Sequence, residues 1–286
     1  SIKATVNESI VNNKINLEFI IEETEKLIVE RINIFGNDVT RESVIRNTFE
    51  IDEGDPYNEI LLKRTENNLK SLNFFKDIKV ETVDGEDNNS KVINLSVQEK
   101  PTGEIYAGAG VGTNGGTIQF GIKENNYLGK GIQVQSNISL TSEAIKGNLN
   151  LFNPNFNNSD KSIFLDLEAL EIDRTKTSGY KTNKTGISTG TKFEYLSDFN
   201  FGLSGKTTIE KIETDSNASS QLKKQKGNYW DTFVNLDFDY DRRNQKYKTS
   251  KGFRSSYNVN IPVISDVSTL TNSYSYNYYT ELYEDN

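Results

Sequence analysis

Three stretches carry residue types that could do chemistry. Gly110-Val111-Gly112-Thr113-Asn114-Gly115 fits G-x-G-x-x-G, the spacing with which a turn can cradle a dinucleotide pyrophosphate. Asp237, Asp239 and Asp241 stand two apart, which puts three carboxylates on one face of a strand, where they could do acid–base or cation-binding work. Lys223, Lys224 and Lys226 make a short basic run that could meet anionic headgroups. Each pattern lacks its context. A pyrophosphate cradle needs a helix N-terminus after its glycines. Here Gly116-Thr117-Ile118-Gln119-Phe120-Gly121 continues as an alternating strand, so a hairpin is expected. No calcium-loop glycine follows the aspartates, and Arg242 and Arg243 are adjacent, so a polar wall with local ion pairs is expected. The lysines are expected in a solvated loop. No catalytic residue, cofactor or metal is assigned.

Composition narrows the remaining chemistry. The 286 residues include no Cys and no His, which removes thiol catalysis, imidazole general bases and the commonest zinc sites. An enzyme would have to work with carboxylates, Lys, Tyr or Ser, and none is expected. The net charge of -8 and a pI near 4.9 disfavour a nucleic-acid partner, which needs clustered cations. Only 34% of residues are apolar and no run approaches the roughly 18 that a spanning helix requires. A transmembrane barrel stays open, because its strands show lipid only half their residues. The chain starts at Ser1 with no basic and apolar leader and holds no Met, so we expect a mature or excised piece with any export signal outside it.

The elements divide at Glu99-Lys100-Pro101-Thr102-Gly103. Before it, residues 2–6 and 14–21 alternate like a hairpin with Asn12-Asn13 at its turn. Residues 27–35 then read as a strand closed by Gly36-Asn37-Asp38. A short helix is expected from Thr40 to Phe49 and a second over 58–72, with Ile60, Leu61, Thr65, Leu69 and Leu72 on its buried face. Strands follow at 77–83 and 91–98. After the seam every segment alternates, giving ten strands at 104–112, 116–124, 131–140, 144–152, 162–172, 185–196, 200–212, 229–240, 252–261 and 272–282. Their length suits a tilted strand crossing a bilayer.

Loop lengths sort by side. The two long Ser/Thr/Lys/Asn-rich connections, 173–184 and 213–228, both fall opposite the side on which the chain enters, as extracellular loops would. The entry side collects Tyr127, Phe156 and Tyr247, with Phe152, Tyr240 and Phe253 at adjoining strand ends, the pattern of a membrane-interface aromatic girdle.

Two sets of residues carry a family resemblance. Ile32-Asn33-Ile34-Phe35-Gly36-Asn37, Leu72-Asn73-Phe74-Phe75 leading into Ile78-Lys79-Val80, and the closing Val97-Gln98-Glu99-Lys100 resemble a POTRA domain, the periplasmic polypeptide-transport-associated module. Asn126-Tyr127-Leu128-Gly129-Lys130-Gly131, Leu151-Phe152-Asn153-Pro154-Asn155-Phe156, and Asp239-Tyr240-Asp241-Arg242-Arg243-Asn244 with Thr249-Ser250-Lys251-Gly252 resemble turns of BamA-type barrels. Together they cover nearly the whole chain, which is identified as a member of the POTRA-plus-barrel outer-membrane assembly family. The family barrel has sixteen strands, a terminal aromatic residue and a Val-Arg-Gly-Phe/Tyr motif. This chain has about ten strands, no such motif, and ends at Glu284-Asp285-Asn286. We therefore expect an internal fragment: residues 1–26 as the end of one POTRA domain, 27–100 as a complete α+β POTRA domain (β-α-α-β-β), and 101–286 as the first part of an antiparallel transmembrane β-barrel.

The resemblance implies an outer-membrane location with the POTRA part in the periplasm. It implies unfolded outer-membrane protein precursors, accessory lipoproteins and the lipid bilayer as partners. It also implies that the first barrel strand, Glu104-Ile105-Tyr106-Ala107-Gly108-Ala109-Gly110-Val111, forms one side of a lateral gate where an incoming strand pairs, with Ile105, Ala107, Ala109 and Val111 facing lipid. The glycines leave two roles open, barrel curvature or a weakened strand that can part. The free edge of the POTRA sheet, either 29–34 or 77–83, could capture an extended peptide through its backbone. A secretion transporter of the same superfamily and a passive porin-like barrel are the competing functions.

Overall fold

The computed structural model describes residues 2–11, 14–23, 26–112, 115–244, 249–265 and 269–281, so the expected turn at Asn12-Asn13 lies outside them. The chain divides into two units, Ser1–Pro101 and Thr102–Asn286.

In the first unit β1 (Ile2–Val11) and β2 (Lys14–Glu23) pair as an antiparallel hairpin. The order then runs β3 (Ile28–Phe35), α1 (Glu42–Arg46), α2 (Glu59–Leu72), β4 (Phe75–Asp84) and β5 (Ser90–Glu99). The three strands form one mixed sheet in the order β3-β5-β4, with β3 parallel to β5 and β4 antiparallel to it. β5 is central, and it supplies Ile93, Leu95 and Val97 to a core shared with Val29, Ile45, Leu62, Leu69 and Phe74. Asn58 caps α2 by accepting from the Ile60 and Leu61 amides at 2.9 and 3.3 Å, and left-handed Asn73 ends it.

The buried face of α2 includes the expected Thr65 and Leu69, with Leu61 and Leu72 packed against the core, and differs from the expected one only in its first turn. Leu62, Thr65 and Leu69 point inward at the i, i+3, i+7 spacing, and Ile60 is 68% exposed. Three apolar residues in succession, Ile60-Leu61-Leu62, offered more than one register for the stripe. Thr65 is buried because its hydroxyl accepts from the Glu50 amide at 3.0 Å. The first helix is also shorter than expected, since residues 47–49 form turns after Arg46.

The second unit is a ten-stranded antiparallel meander. Its strands are β6 (Gly103–Gly112), β7 (Gly115–Tyr127), β8 (Ile132–Thr141), β9 (Ala144–Asn153), β10 (Ser162–Arg174), β11 (Tyr180–Leu196), β12 (Phe199–Thr214), β13 (Gly227–Asp241), β14 (Gly252–Ile264) and β15 (Thr271–Tyr279). Each pairs with its sequence neighbours, and the order β15 through β6 leaves β6 and β15 as the two edges of an unclosed sheet. Residues paired across antiparallel strands share a face. Register therefore collects Ile105, Ile122, Leu149, Leu167, Leu236 and Val259 on an apolar face and Gln119, Asn150, Asp166, Ser188, Asp237 and Asn258 on a polar one.

The first expected long loop, 173–184, is mostly strand, whereas 213–228 is strand only at its two ends. β10 to β13 run 13, 17, 16 and 15 residues, and the segments between them shrink around the short helices α3 (Thr175–Ser178) and α4 (Ser220–Lys224). Their polar composition hid the ladder, since cross-strand ion pairs rather than apolar alternation hold these ends. Lys181 meets Glu171 at 2.6 Å and Lys184 meets Glu210 at 3.8 Å.

Candidate functional site

The expected gate strand is β6, and every one of its ten residues is exposed. It pairs with β7 from Gly103 opposite Glu124 to Gly112 opposite Gly115, and its other side carries no neighbour among the described residues. Ile105 is 76% and Val111 93% exposed, with Ala107 and Ala109 between them on the apolar face. The polar face of the same strand bears Glu104, Tyr106, Gly108, Gly110 and Gly112. A methyl group at any of these three glycines would meet nothing within 4 Å, so close packing in the described structure does not demand glycine there. The nucleotide-like motif is the β6–β7 hairpin: Gly115 takes φ +97°, β7 follows as a strand, and Thr113 and Asn114 lie outside the described residues.

The near-side start of β6 is fastened. The Thr102 hydroxyl donates to Glu124 Oε1, which also accepts from the Asn126 amide at 2.7 Å. The Asn125 side-chain amide donates to the Thr102 carbonyl at 3.2 Å, and buried Asn126 accepts from the Gly131 amide at 2.7 Å. At the end of the first unit Glu99 plays a similar part, accepting from the Val39 and Thr40 amides at 2.8 and 2.6 Å. Burial pushes the Glu99 carboxyl up, but the Thr40 hydroxyl and the Thr40, Val39 and Asp38 amides outweigh it and hold the group below the usual glutamate range.

Of the expected girdle, Tyr127 and Phe156 are exposed on the near side, while Tyr240 and Phe253 pack edge to face at 5.6 Å. Tyr247 lies outside the described residues. Phe152 differs: it pairs with Gln133 and Phe164, on the polar face that carries Asn150 and Asp166. Alternation fixed this, because Phe152 shares parity with Asn148 and Asn150. The belt is also deeper than the expected single row. Phe193 meets Phe201 at 5.8 Å, Phe201 meets Phe238 at 5.4 Å, Phe238 meets Tyr257 at 6.3 Å, and Phe253 stacks on Tyr276 at 5.7 Å.

The aspartate trio is committed to partners. Asp239, 8% exposed, accepts from Arg254 Nε at 2.8 Å and Nη2 at 3.0 Å and from Lys192 at 3.2 Å. Asp241 takes a two-pronged contact from Arg243 at 2.8 and 2.6 Å, and Asp237 accepts from the Asn258 amide. Asp239 and Asp241, with Lys192, Glu194, Arg243 and Arg254, line an open basin of about 580 Å³ that does not include Asp237. Of the basic run, Lys223 and Lys224 lie in the short helix α4 and not in a loop, and Lys223 donates to the Ser216 carbonyl at 2.8 Å.

In the POTRA-like sheet both candidate strands are edges, but they are not equivalent. The outer side of β3 is occupied: Val29 donates to Asp55 at 2.9 Å and accepts from Gly54 at 2.7 Å. The Ile32 amide donates to Glu53 at 2.9 Å, and its carbonyl accepts from Arg46 at 3.1 Å. β4 pairs only with β5 among the described residues, so its outer backbone is the open one.

Comparison with known proteins gives these features a setting. An Omp85 superfamily domain model matches residues 126–286, more than half of the chain. A POTRA model described as a surface antigen variable number repeat matches residues 27–100. The outer membrane protein assembly factor BamA of Neisseria meningitidis serogroup B is 28% identical over 191 residues, 64% of this chain and 24% of that protein. The assembly factor BamA of Nitratidesulfovibrio vulgaris is 23% identical over 257 residues, 88% of this chain and 32% of its own length. The chain thus spans about a quarter to a third of the relatives it matches. Among solved structures, BamA from Haemophilus ducreyi lacking POTRA domains 1–3 superposes with a TM-score of 0.68 at 19% identity, covering 92% of this chain and 54% of that one. CdiB from Acinetobacter baumannii gives a TM-score of 0.54 at 11% identity, covering 96% and 52%.

Proposed function

The chain belongs to the Omp85 superfamily, and from that premise we propose that it is part of an outer-membrane protein assembly factor. Its POTRA unit meets unfolded β-barrel precursors in the periplasm, and β6 templates their folding into the outer membrane. The apolar face of the ten-stranded sheet meets lipid and the polar face lines the lumen. On β13 that belt runs from Trp230 to Tyr240. About ten steps of roughly 3.3 Å, tilted by roughly 40°, give the ~25 Å height of an outer-membrane barrel. Tyr127, Phe156, Tyr240 and Phe253 mark its periplasmic rim.

One observation carries the proposal. Among the described residues β6 is fully exposed, forms one edge of a lipid-belted sheet, and carries no strand on its outer row of backbone donors and acceptors. Unpaired backbone is not tolerated in hydrocarbon, so this edge needs a strand beside it, and an incoming precursor strand supplies the same hydrogen bonds without regard to its side chains. The chemistry required is backbone pairing alone, with no nucleotide and no reacting side chain. The open β4 edge supports capture of an extended precursor segment before insertion, and the POTRA unit also gives accessory lipoproteins a place to dock. Residues 1–26, with the β1–β2 pair, fit the same reading as the C-terminal part of a preceding POTRA domain, within a longer protein.

The superposition on CdiB shows a shared fold, so a secretion transporter is the second reading, separated by whether the client is released or inserted. A porin-like barrel would conduct without residues 27–100 and leave client proteins unaffected. The decisive test locks the first barrel strand of the intact protein to its last by a disulfide. Assembly of client barrels should stop and return on reduction. Unimpaired assembly with the lock confirmed would defeat the proposal.

A further inference from the structure

We propose that Tyr106 is a positioning residue, parked over Gly121 so that the lumen side of the free β6 edge is clear for whatever strand pairs there. The inference rests on the reading of β6 as the templating strand. Tyr106 is the one bulky side chain among the polar-face positions 106, 108, 110 and 112 of this strand, the others being glycine. An aromatic ring at the middle of a pairing edge would contact the side chain opposite, select among clients and favour some registers over others.

The structure sends the ring the other way. Tyr106 stands opposite Gly121 of β7, and Gly121 opposite Asn137 of β8. A methyl group at Gly121 would fall inside the ring carbon and hydroxyl of Tyr106, and 2.6 Å from Asn137 Oδ1. The ring therefore occupies the space that a side chain at 121 would fill, on the inner side of β6 and away from its unpaired edge. Gly108, Gly110 and Gly112 have no atom near the place of a missing Cβ. From Tyr106 onward an approaching strand meets a lumen-side strip with no side chain reaching over it. On the lipid side it meets only Ala107 and Ala109 before Val111. The absence of side-chain readout is what a template for many different precursors requires.

The test uses the full-length protein in lipid vesicles, with A109C on β6 and a single cysteine in the last strand of an unfolded eight-stranded outer-membrane barrel precursor. Gly121→Ala should force the ring off its seat toward the edge and lower the yield of trapped disulfide by about five-fold or more. The double variant Y106A/G121A should return the yield to within about two-fold of the parent, because removing the ring removes the obstruction. A G121A yield equal to the parent, or a double variant that fails to recover, overturns the inference. If the parent itself traps no precursor, the templating role of β6 fails first. If G121A does not fold, the parent decides: an upfield ring-shifted Gly121 Cα-proton signal that relaxes in Y106A supports the parked ring, and an ordinary position places the ring elsewhere and overturns it.

Discussion

The first and tenth strands of the described sheet are built on opposite plans. β6 carries Gly108, Gly110 and Gly112 on its polar face and Ala107 and Ala109 on the other, and beyond Tyr106 its attachment to β7 is mostly backbone ladder. β15 carries Tyr274, Tyr276 and Tyr278 on one face. Tyr276 stacks on Phe253, Phe253 meets Tyr240, and the Ser255 hydroxyl donates to Tyr274 at 3.2 Å. Each ring pair adds about 0.5–1.5 kcal/mol beyond burial, whereas each strand glycine costs roughly 0.5–1 kcal/mol relative to alanine. Two strands with similar hydrogen-bond ladders can thus differ widely in stiffness. The compliant edge is the one that follows the POTRA unit in the chain.

Stiffening the soft edge should have the largest effect. Replacing Gly108, Gly110 and Gly112 together by Val places each new Cβ where no atom lies within 4 Å in the described structure. The triple variant should therefore fold. It should slow amide exchange across β6 by roughly ten-fold or more and depress client assembly, because a branched strand resists parting and its side chains crowd the incoming partner. Slow exchange with normal assembly would show that compliance is not the useful property of β6.

The opposite change softens the stiff edge. Phe253→Ala removes two ring contacts at once, to Tyr240 and Tyr276. The expected loss is about 1–3 kcal/mol, read as a lower urea midpoint in lipid vesicles, with faster exchange in β14 and β15 and little change in β6. Equal loosening of both edges would mean that the sheet responds as one body and that the contrast between its edges is not local.

Much of this arrangement was legible in the sequence for a physical reason. A strand facing lipid on one side and water on the other must alternate, and all ten strands announced themselves that way. The rule fails where the environment stops being two-sided. The start of β11 has no aliphatic residue on either face before Ile187, so Lys181 and Lys184 fall in an expected loop although they pair with Glu171 and Glu210 across the ladder. Phe152 was sorted by its nearness to a turn instead of its parity with Asn150. The seat of Tyr106 over Gly121 was not legible, because it depends on the register across a hairpin whose turn residues, Thr113 and Asn114, do not specify it unaided.

The smallest expected effect concerns what lies just before the soft edge. Glu99 ends β5 and ties it to the segment around Val39 and Thr40, four residues before β6 begins at Gly103. Those amides and the Thr40 hydroxyl hold its carboxyl below the ordinary glutamate value of about 4.3. A carboxyl whose folded value is lowered stabilises the fold fully above its unfolded value, and that contribution fades as pH falls through the folded one. Protection of the Val39 and Thr40 amides from exchange, corrected for intrinsic rates, should accordingly be high at neutral pH and fall on acidification through and below the ordinary glutamate range. Glu99→Gln keeps one neutral acceptor, so its protection should be lower at pH 7 and nearly flat on acidification, and the two proteins should converge once the Glu99 carboxyl is protonated. A parallel acid decline in the variant would assign the transition to other carboxylates and leave the anchor before β6 without a titrating group.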